Sequence, residues 1–407
     1  MIDQSDANRT YNTFWGLGLM IVFFNHFFVF SKVQFAIIIS PFVLYFLIKN
    51  KAMKSLTICL VLLFIWTVIH IFQGANFHFI LLSFLMAICT LIYISFFWEF
   101  YSKVISFDLF IDFITKSNAI FLAIALSAYK ISFLKNLFWY YNELSFKGNP
   151  IPRLKMFELE ASHYSLTIAP LAIYYFWKNI KKYNQKDMLL LSSLVISLIL
   201  SFSLGVLSAL ILAFSTLFVL RTQKIYQYRR IKYTYISIFF IGTCCTALLH
   251  FLYPDNLIFL RLKNVITGAD TSGRGRTYEA FILADMIVQK KNMFLGIGLG
   301  QLKELGRTTI INYYSYTKIP EVVRLPNSLA ETIVYFGYLG AVLKLIIVIF
   351  LFFKYKVYES PFNLSLYLFI FIYQFTGSYI FNIAEYMIWI IAIKPNQFCL
   401  QFKNFEA

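Results

Sequence analysis

Apolar residues run along this chain in long blocks, separated by short polar joints that are mostly basic. The blocks fall near 13–30, 33–48, 55–73, 78–98, 108–129, 161–177, 188–203, 205–220, 233–253, 327–353, 362–381 and 383–393. Most match the length a helix needs to cross a hydrocarbon core of about 30 Å. Backbone polar groups in lipid must be satisfied within the segment, which a helix does. The period-2 alternation of a membrane barrel is missing. The pattern therefore predicts an all-α polytopic membrane protein of about twelve transmembrane helices, within a range of about ten to fourteen. The continuous stretch 188–220 is split at Ser203-Leu204-Gly205 because the joints on either side of it are both basic. The last block is short enough to re-enter from one face.

The joints set an orientation. Lys49, Lys51 and Lys54 follow the second block; Lys178, Lys181, Lys182 and Lys186 follow the sixth. Arg221, Lys224, Arg229, Arg230 and Lys232 follow the eighth, and Lys354 and Lys356 the tenth. All come after even-numbered spans, so one orientation satisfies every cluster under the positive-inside rule. It makes both termini cytoplasmic and puts two long segments outside, 130–160 and 254–326. Loops of that length are usually functional. In the larger one, Tyr278, Phe281, Ile282, Asp285 and Met286 follow a 3.6-residue stripe that runs to about Lys291, so a small, partly helical cap is expected. Residues 1–16 carry no basic leader or cleavage site, so the first span is expected to be retained.

Composition mainly excludes. The chain has 407 residues, 60% hydrophobic and 14% charged, against about 25% charged in a soluble domain. The net charge of +17 lies largely in the joints, which argues against nucleic acid as a partner. Cys59, Cys89, Cys244 and Cys245 fall within spans and Cys399 in the tail, with no redox or zinc spacing. His26, His70, His78 and His250 are scattered without i, i+4 spacing and read as packed or interfacial residues. The spacing offers no metal site, no P-loop and no Ser-His-Asp set, and no cofactor is expected.

The chemistry sits in the outer segments. Segment 254–326 holds Arg261, Lys263, Arg274, Arg276, Lys290, Lys291, Lys303, Arg307, Lys318 and Arg324 against Asp255, Asp270, Glu279, Asp285, Glu304 and Glu321. A positive outer surface suits phosphate, which arginine grips bidentately; a solvated face or lipid headgroups would also account for it. In Ser272-Gly273-Arg274-Gly275-Arg276, glycines allow close backbone approach and a helix start adds N–H groups, so this reads as a pyrophosphate seat. Gly296-Ile297-Gly298-Leu299-Gly300 lacks the strand and βαβ unit of a dinucleotide site and reads as a bend back toward the membrane. Before the sixth span, Arg153, Glu158, Glu160, Ser162 and His163 crowd a helix mouth. Glu160 or His163 could take a proton from a sugar hydroxyl, or serve as a helix-end charge and an interfacial cap.

Three pieces resemble the O-antigen polymerase (Wzy) and O-antigen ligase superfamily of bacterial inner membranes. Phe157-Glu158-Leu159-Glu160-Ala161-Ser162 is similar to its Glu-Pro-Ser element, with alanine in place of proline. Ser272-Gly273-Arg274, Tyr278 and Phe294-Leu295-Gly296-Ile297-Gly298 resemble its arginine, aromatic and Phe-Gly-x-Gly turn. Pro326-Asn327, Glu331 and Gly337-Tyr338-Leu339-Gly340 resemble its Asn element and the entry to the next span. The match covers about 150–345; Ser203-Leu204 stands where the family often has an arginine after serine. The resemblance implies a GT-C-like fold and a metal-independent glycosyltransferase working on the periplasmic face. Its donor would be a glycan on undecaprenyl pyrophosphate and its acceptor a lipid-linked repeat unit, with a chain-length regulator as a further partner. Arg274 and then Arg276 would stabilise the leaving pyrophosphate, and Glu160 would act as base. Arg153, Glu158, Arg261, Tyr278, Arg324 and Asn327 would bind substrate.

A ligase would share the donor and pass the glycan to lipid A-core. Such enzymes typically use a histidine in or just after the large loop, and 254–326 has none, which favours polymerase. A lipid-linked oligosaccharide flippase, the non-enzyme alternative, would want cations inside the bundle, where Lys116 and Lys344 are the main candidates, and no large outer loop.

Overall fold

A computed structural model describes residues 15–30, 33–101, 107–141, 152–220, 263–264, 267–268, 271–315 and 324–394. The expected ninth span, Arg261 and both chain ends lie outside the described residues. Helices dominate: α1 (15–24), α2 (Phe35–Lys49), α3 (Lys54–Phe72), α4 (Phe77–Phe100), α5 (Phe107–Ser127), α6 (Ser132–Phe138), α7 (Ala161–Lys181), α8 (Gln185–Ser201), α9 (Leu204–Leu220), α10 (Thr271–Arg276), α11 (Tyr278–Val288), α12 (Leu305–Tyr314), α13 (Ser328–Lys354), α14 (Pro361–Tyr373) and α15 (Ile383–Ile393). Two small antiparallel pairs complete the described fold: β1 (Phe28–Phe30) with β2 (Val33–Gln34), and β3 (Trp139–Tyr141) with β4 (Pro152–Leu154).

Among the described residues, four helices are long and apolar enough to cross a membrane: Lys54–Phe72, Phe77–Phe100, Phe107–Lys130 and Ser328–Lys354. Shorter apolar helices accompany them. The fold is that of an all-α membrane protein. Helix α3 turns Ile58, Val61, Leu62, Phe64 and Ile65 outward, and α13 does the same with Ile346, Ile347, Phe350 and Phe353. Apolar surface on this scale would drive aggregation in water and is at home in lipid. Helix α7 is buried along almost its whole length and packs on α8, α9, α14 and α15.

Several boundaries differ from the hydropathy pattern. The first block is helical only to residue 24, because the Glu158 carboxylate takes the backbone N–H groups of Asn25 and His26 at 2.9 and 3.1 Å. A helix loses its register where a side chain captures its ladder donors. The long apolar stretch does break, at Phe202, whose left-handed φ of 47° separates α8 from α9. The block at 362–381 is helical only through Tyr373. Its remaining residues form an irregular turn held from α13: the Glu331 carboxylate accepts from Ile380 N at 2.7 Å, and Asn327 donates to Phe375 O at 2.7 Å.

Within the long segment 254–326, residues 271–315 form an ordered cap with a core of their own. Ala280, Leu283, Ala284 and Ile287 of α11 pack with Ile297, Leu299, Leu302 and Ile310 against Leu329, Ile333 and Val334 of α13. The face differs from expectation. Tyr278, Ile282 and Met286 are 53%, 42% and 41% exposed, and the buried side of α11 carries the alanines. Small side chains let helix backbones approach closely, so the face that looks less hydrophobic is the one that packs.

The Gly296–Gly300 bend joins this cap to the bundle. Gly337 interrupts α13 with φ 68° and ψ −175°, a region essentially reserved for glycine. The freed backbone groups pair with the bend: Ile297 N donates to Val334 O, Gly298 N to Tyr335 O, Tyr338 N to Met293 O and Leu339 N to Phe294 O. Backbone freed inside a span must be satisfied again by protein. A Cβ on Gly337 would lie 2.1 Å from Phe294 O.

Candidate functional site

Segment 152–162 is built by two anchors. Strand β4 pairs with β3 in the register Trp139–Leu154, Tyr140–Arg153, Tyr141–Pro152. Phe157 then stacks on Phe24, with centroids 4.9 Å apart, and meets Phe121 and Phe138 edge-on or tilted. Sunk aromatics fix the backbone on either side of them, so Glu158 and Glu160 take opposite fates.

Glu158 faces inward and is 1% exposed. Besides the two backbone N–H groups, it holds His26 Nδ1 at 2.8 Å. Burial pushes its carboxyl up to about 7, against the pull of His163, the two backbone donors and Lys155. It is therefore not open to a substrate in the way the sequence suggested.

Glu160 caps the start of α7 and looks out. Its Oε2 accepts from Ser162 Oγ at 3.2 Å and lies 4.0 Å from an Arg276 guanidinium nitrogen, both side chains being about a third exposed. Burial raises the Glu160 carboxyl, but His163, Arg276, Ser162 and Arg324 outweigh it and hold it below the usual carboxylate range.

Arg276 reaches this point from the cap. Its carbonyl accepts from Asn327 Nδ2 at 2.8 Å, and Asn327 also N-caps α13 by accepting from Ala330 N at 2.9 Å. Asn327 is fully buried. Three pieces far apart in sequence thus meet: Glu160, Arg276 and Asn327. Arg153 lies alongside; its Nε donates to Ser201 O at 3.0 Å, and both it and Arg276 bear on Tyr140, whose hydroxyl pKa is raised chiefly by burial. Arg324 is exposed and acts electrostatically on Glu160.

Arg274 goes elsewhere. Its Nε lies 3.2 Å from Oε1 of the buried Glu279, whose other oxygen accepts from Tyr314 OH at 3.1 Å. Tyr278 is mostly exposed and is not brought to Glu160. The Ser272–Arg276 stretch is itself helical, in α10, and not the open glycine loop the sequence suggested. Gly275 lies close under Tyr314, since a Cβ there would sit 3.0 Å from its hydroxyl and the tyrosine would have to give way slightly.

The residues that sequence reading undervalued are histidines. The His26 and His163 rings lie 4.0 Å apart at a 35° tilt, and Tyr379 approaches both. His26, Glu158 and His163 bring one ligand atom each to within 4.8 Å of one another. Glu158 and His163 are neighbours in sequence, but His26 stands 132 positions before Glu158, so no short spacing could have announced the set.

Below the site, α13 and α15 share a buried polar cluster. Lys344 Nζ donates to Ser328 Oγ at 2.9 Å, Ser328 Oγ donates to Glu385 Oε1 at 3.0 Å, and Lys344 lies 3.9 Å from that carboxylate.

Comparison with known protein families and with curated proteins finds no match for this chain.

Proposed function

We propose that this chain is an O-antigen or related surface-polysaccharide polymerase, joining undecaprenyl-pyrophosphate-linked oligosaccharides at the outer face of a bacterial inner membrane. The observation that carries the reading is the meeting of Glu160, Arg276 and Asn327 within hydrogen-bond or ion-pair reach: Glu160 and Asn327 belong to resembling pieces, and Arg276 stands two residues after Arg274, the residue matched to the family's arginine. An ordered cap over the span ends also supports an enzyme over a flippase, as does the pairing of the half-buried Lys344 with Glu385. About twelve spans in a GT-C-like arrangement, with both termini cytoplasmic, belong to the same proposal.

In this mechanism the acceptor hydroxyl oxygen attacks the anomeric carbon of the donor glycan. The bond from that carbon to the pyrophosphate oxygen breaks, and its electron pair leaves on undecaprenyl pyrophosphate. Arg276, with Arg153 and Arg324 nearby, meets the pyrophosphate charge; preorganised cations of this kind are usually the largest catalytic contribution. Arg276 then exchanges its contact with Glu160 for the phosphate, and Glu160 takes the hydroxyl proton. Arg274, tied to Glu279, keeps the cap folded.

The test is deletion of the gene followed by electrophoresis of the lipopolysaccharide. Core bearing a single repeat, with the ladder gone, is the expected result. Complementation with Arg276→Ala at matched expression leaves the ladder absent. Bare core would sink the polymerase reading. It would favour the ligase, for which one observation speaks: the histidine missing from the outer loop is supplied beside Glu160 by His163 of α7. An unchanged ladder would move the reading to another surface polymer.

A further inference from the structure

We infer that His26, Glu158 and His163 form a binding site for one divalent metal ion of the zinc class, independent of the glycosyl-transfer reading. It departs from the metal-free chemistry implied by the resemblance, and places the ion as a clasp behind Glu160.

The donor set is two imidazoles and one carboxylate, each offering an atom within 4.8 Å of the others. In a tetrahedral zinc site the ligand bonds are about 2.0–2.2 Å, which puts donor atoms roughly 3.3–3.5 Å apart. The closest pair here, His26 Nδ1 and Glu158 Oε2 at 2.8 Å, would open slightly, and the others would close by an ångström or so. Two histidines and a carboxylate with a free fourth position are a recurrent zinc combination. Hard ions such as Mg²⁺ prefer all-oxygen shells and keep their waters.

A second observation is independent of that proximity. His163 is 8% exposed, and its Nδ1 is fully enclosed with no hydrogen-bond partner. A buried nitrogen without a partner is destabilising unless something occupies it. On the neighbouring ring, His26 Nδ1 is held by Glu158, while Asn25 Nδ2 lies 3.5 and 3.3 Å from the two ring nitrogens. Asn25 is in turn fixed by Asn382 Oδ1 at 3.3 Å.

The three ligands come from the turn after α1, the segment before α7 and the first turn of α7. An ion bridging them would lock the backbone that carries Glu160. Arg276 and Arg324 bear on this corner and weaken its hold on a bare cation, while Glu160 offsets one of them.

The experiment uses the full chain purified in detergent, stripped with chelator, and dialysed against buffered free Zn²⁺, with Mg²⁺ in parallel. Metal per chain is then measured by elemental analysis. The expected result is about one zinc per chain with no magnesium, and at least a tenfold weaker affinity in His163→Gln and in His26→Gln. His78→Gln, at a histidine outside the cluster, binds like wild type. Zinc also raises the thermal midpoint of the wild type and not of His163→Gln. Wild type that binds no zinc, or binding that survives in both cluster variants, overturns the site. These readouts do not involve glycosyl transfer, so they stand or fall separately from the polymerase reading.

Discussion

Asn327 is the joint between cap and bundle, and its replacement separates two jobs. Its Oδ1 caps α13 through Ala330 N, and its Nδ2 donates to both Arg276 O and Phe375 O. Asn327→Ala removes the cap, a loss of about 1 kcal/mol. It also removes two donated hydrogen bonds and leaves two part-buried carbonyls without that donor, at about 1 kcal/mol each. The sum is roughly 3 kcal/mol. Asn327→Asp keeps the cap oxygen and loses the donor, so a carboxylate oxygen would confront two carbonyls. The aspartate variant should therefore be no more stable than the alanine variant, although aspartate is the better N-cap. Folded fraction against SDS in mixed micelles, followed by pulse proteolysis, reads this directly. If Asn327→Asp matched wild type, the cap would be the residue's only role, and the argument that it positions Arg276 would fail.

Other outcomes follow from the same contacts. Arg276→Ala abolishes polymer formation, whereas Arg274→Ala lowers it through a less stable cap, so Arg274→Ala recovers on cooling and Arg276→Ala does not; gel ladders at two temperatures check this. Gly337→Ala destabilises by more than about 2 kcal/mol, from left-handed strain and collision with Phe294 O, while Gly205→Ala, whose Cβ would find 3.5 Å to Thr376 O, changes the SDS midpoint little. Lys344→Met strands the Glu385 carboxylate in the bundle and costs about 3–5 kcal/mol; adding Glu385→Gln restores much of the loss, and a double-mutant cycle that shows simple additivity would contradict the pairing.

Hydropathy made the spans legible because lipid imposes one rule on every segment: bury the backbone polarity internally. It placed α2 to α5 and α13 to within a few residues. It failed where a distant side chain competes with the helix ladder. Nothing local to Asn25 and His26 says that a carboxylate at position 158 will take their N–H groups. Gly337 was visible as a glycine, but the break it makes depends on the 293–298 bend arriving to pair with it. The face of α11 was misread because hydrophobic periodicity marks Ile282 and Met286, whereas close packing against α13 selects Ala280 and Ala284.

The site divides the same way. Arg276 and Arg274 are two residues apart in one motif, and sequence ranked Arg274 first. They part because α10 is helical: residues two apart on a helix point about 200° apart, so one arginine turns to Glu279 within the cap and the other to Glu160 across the interface. Charge density located the arginines, and only the backbone conformation of five residues decided which of them faces the other outer segment. The same logic separates Glu158 from Glu160, where the anchoring of Phe157 sends one carboxylate inward to His26 and leaves the other at the mouth of α7. The chemistry proposed for this protein therefore rests on which member of each pair the fold turns outward: Arg276→Gln, which removes the guanidinium facing Glu160 and leaves the Arg274–Glu279 pair in place, should remove the gel ladder while the SDS midpoint stays close to wild type.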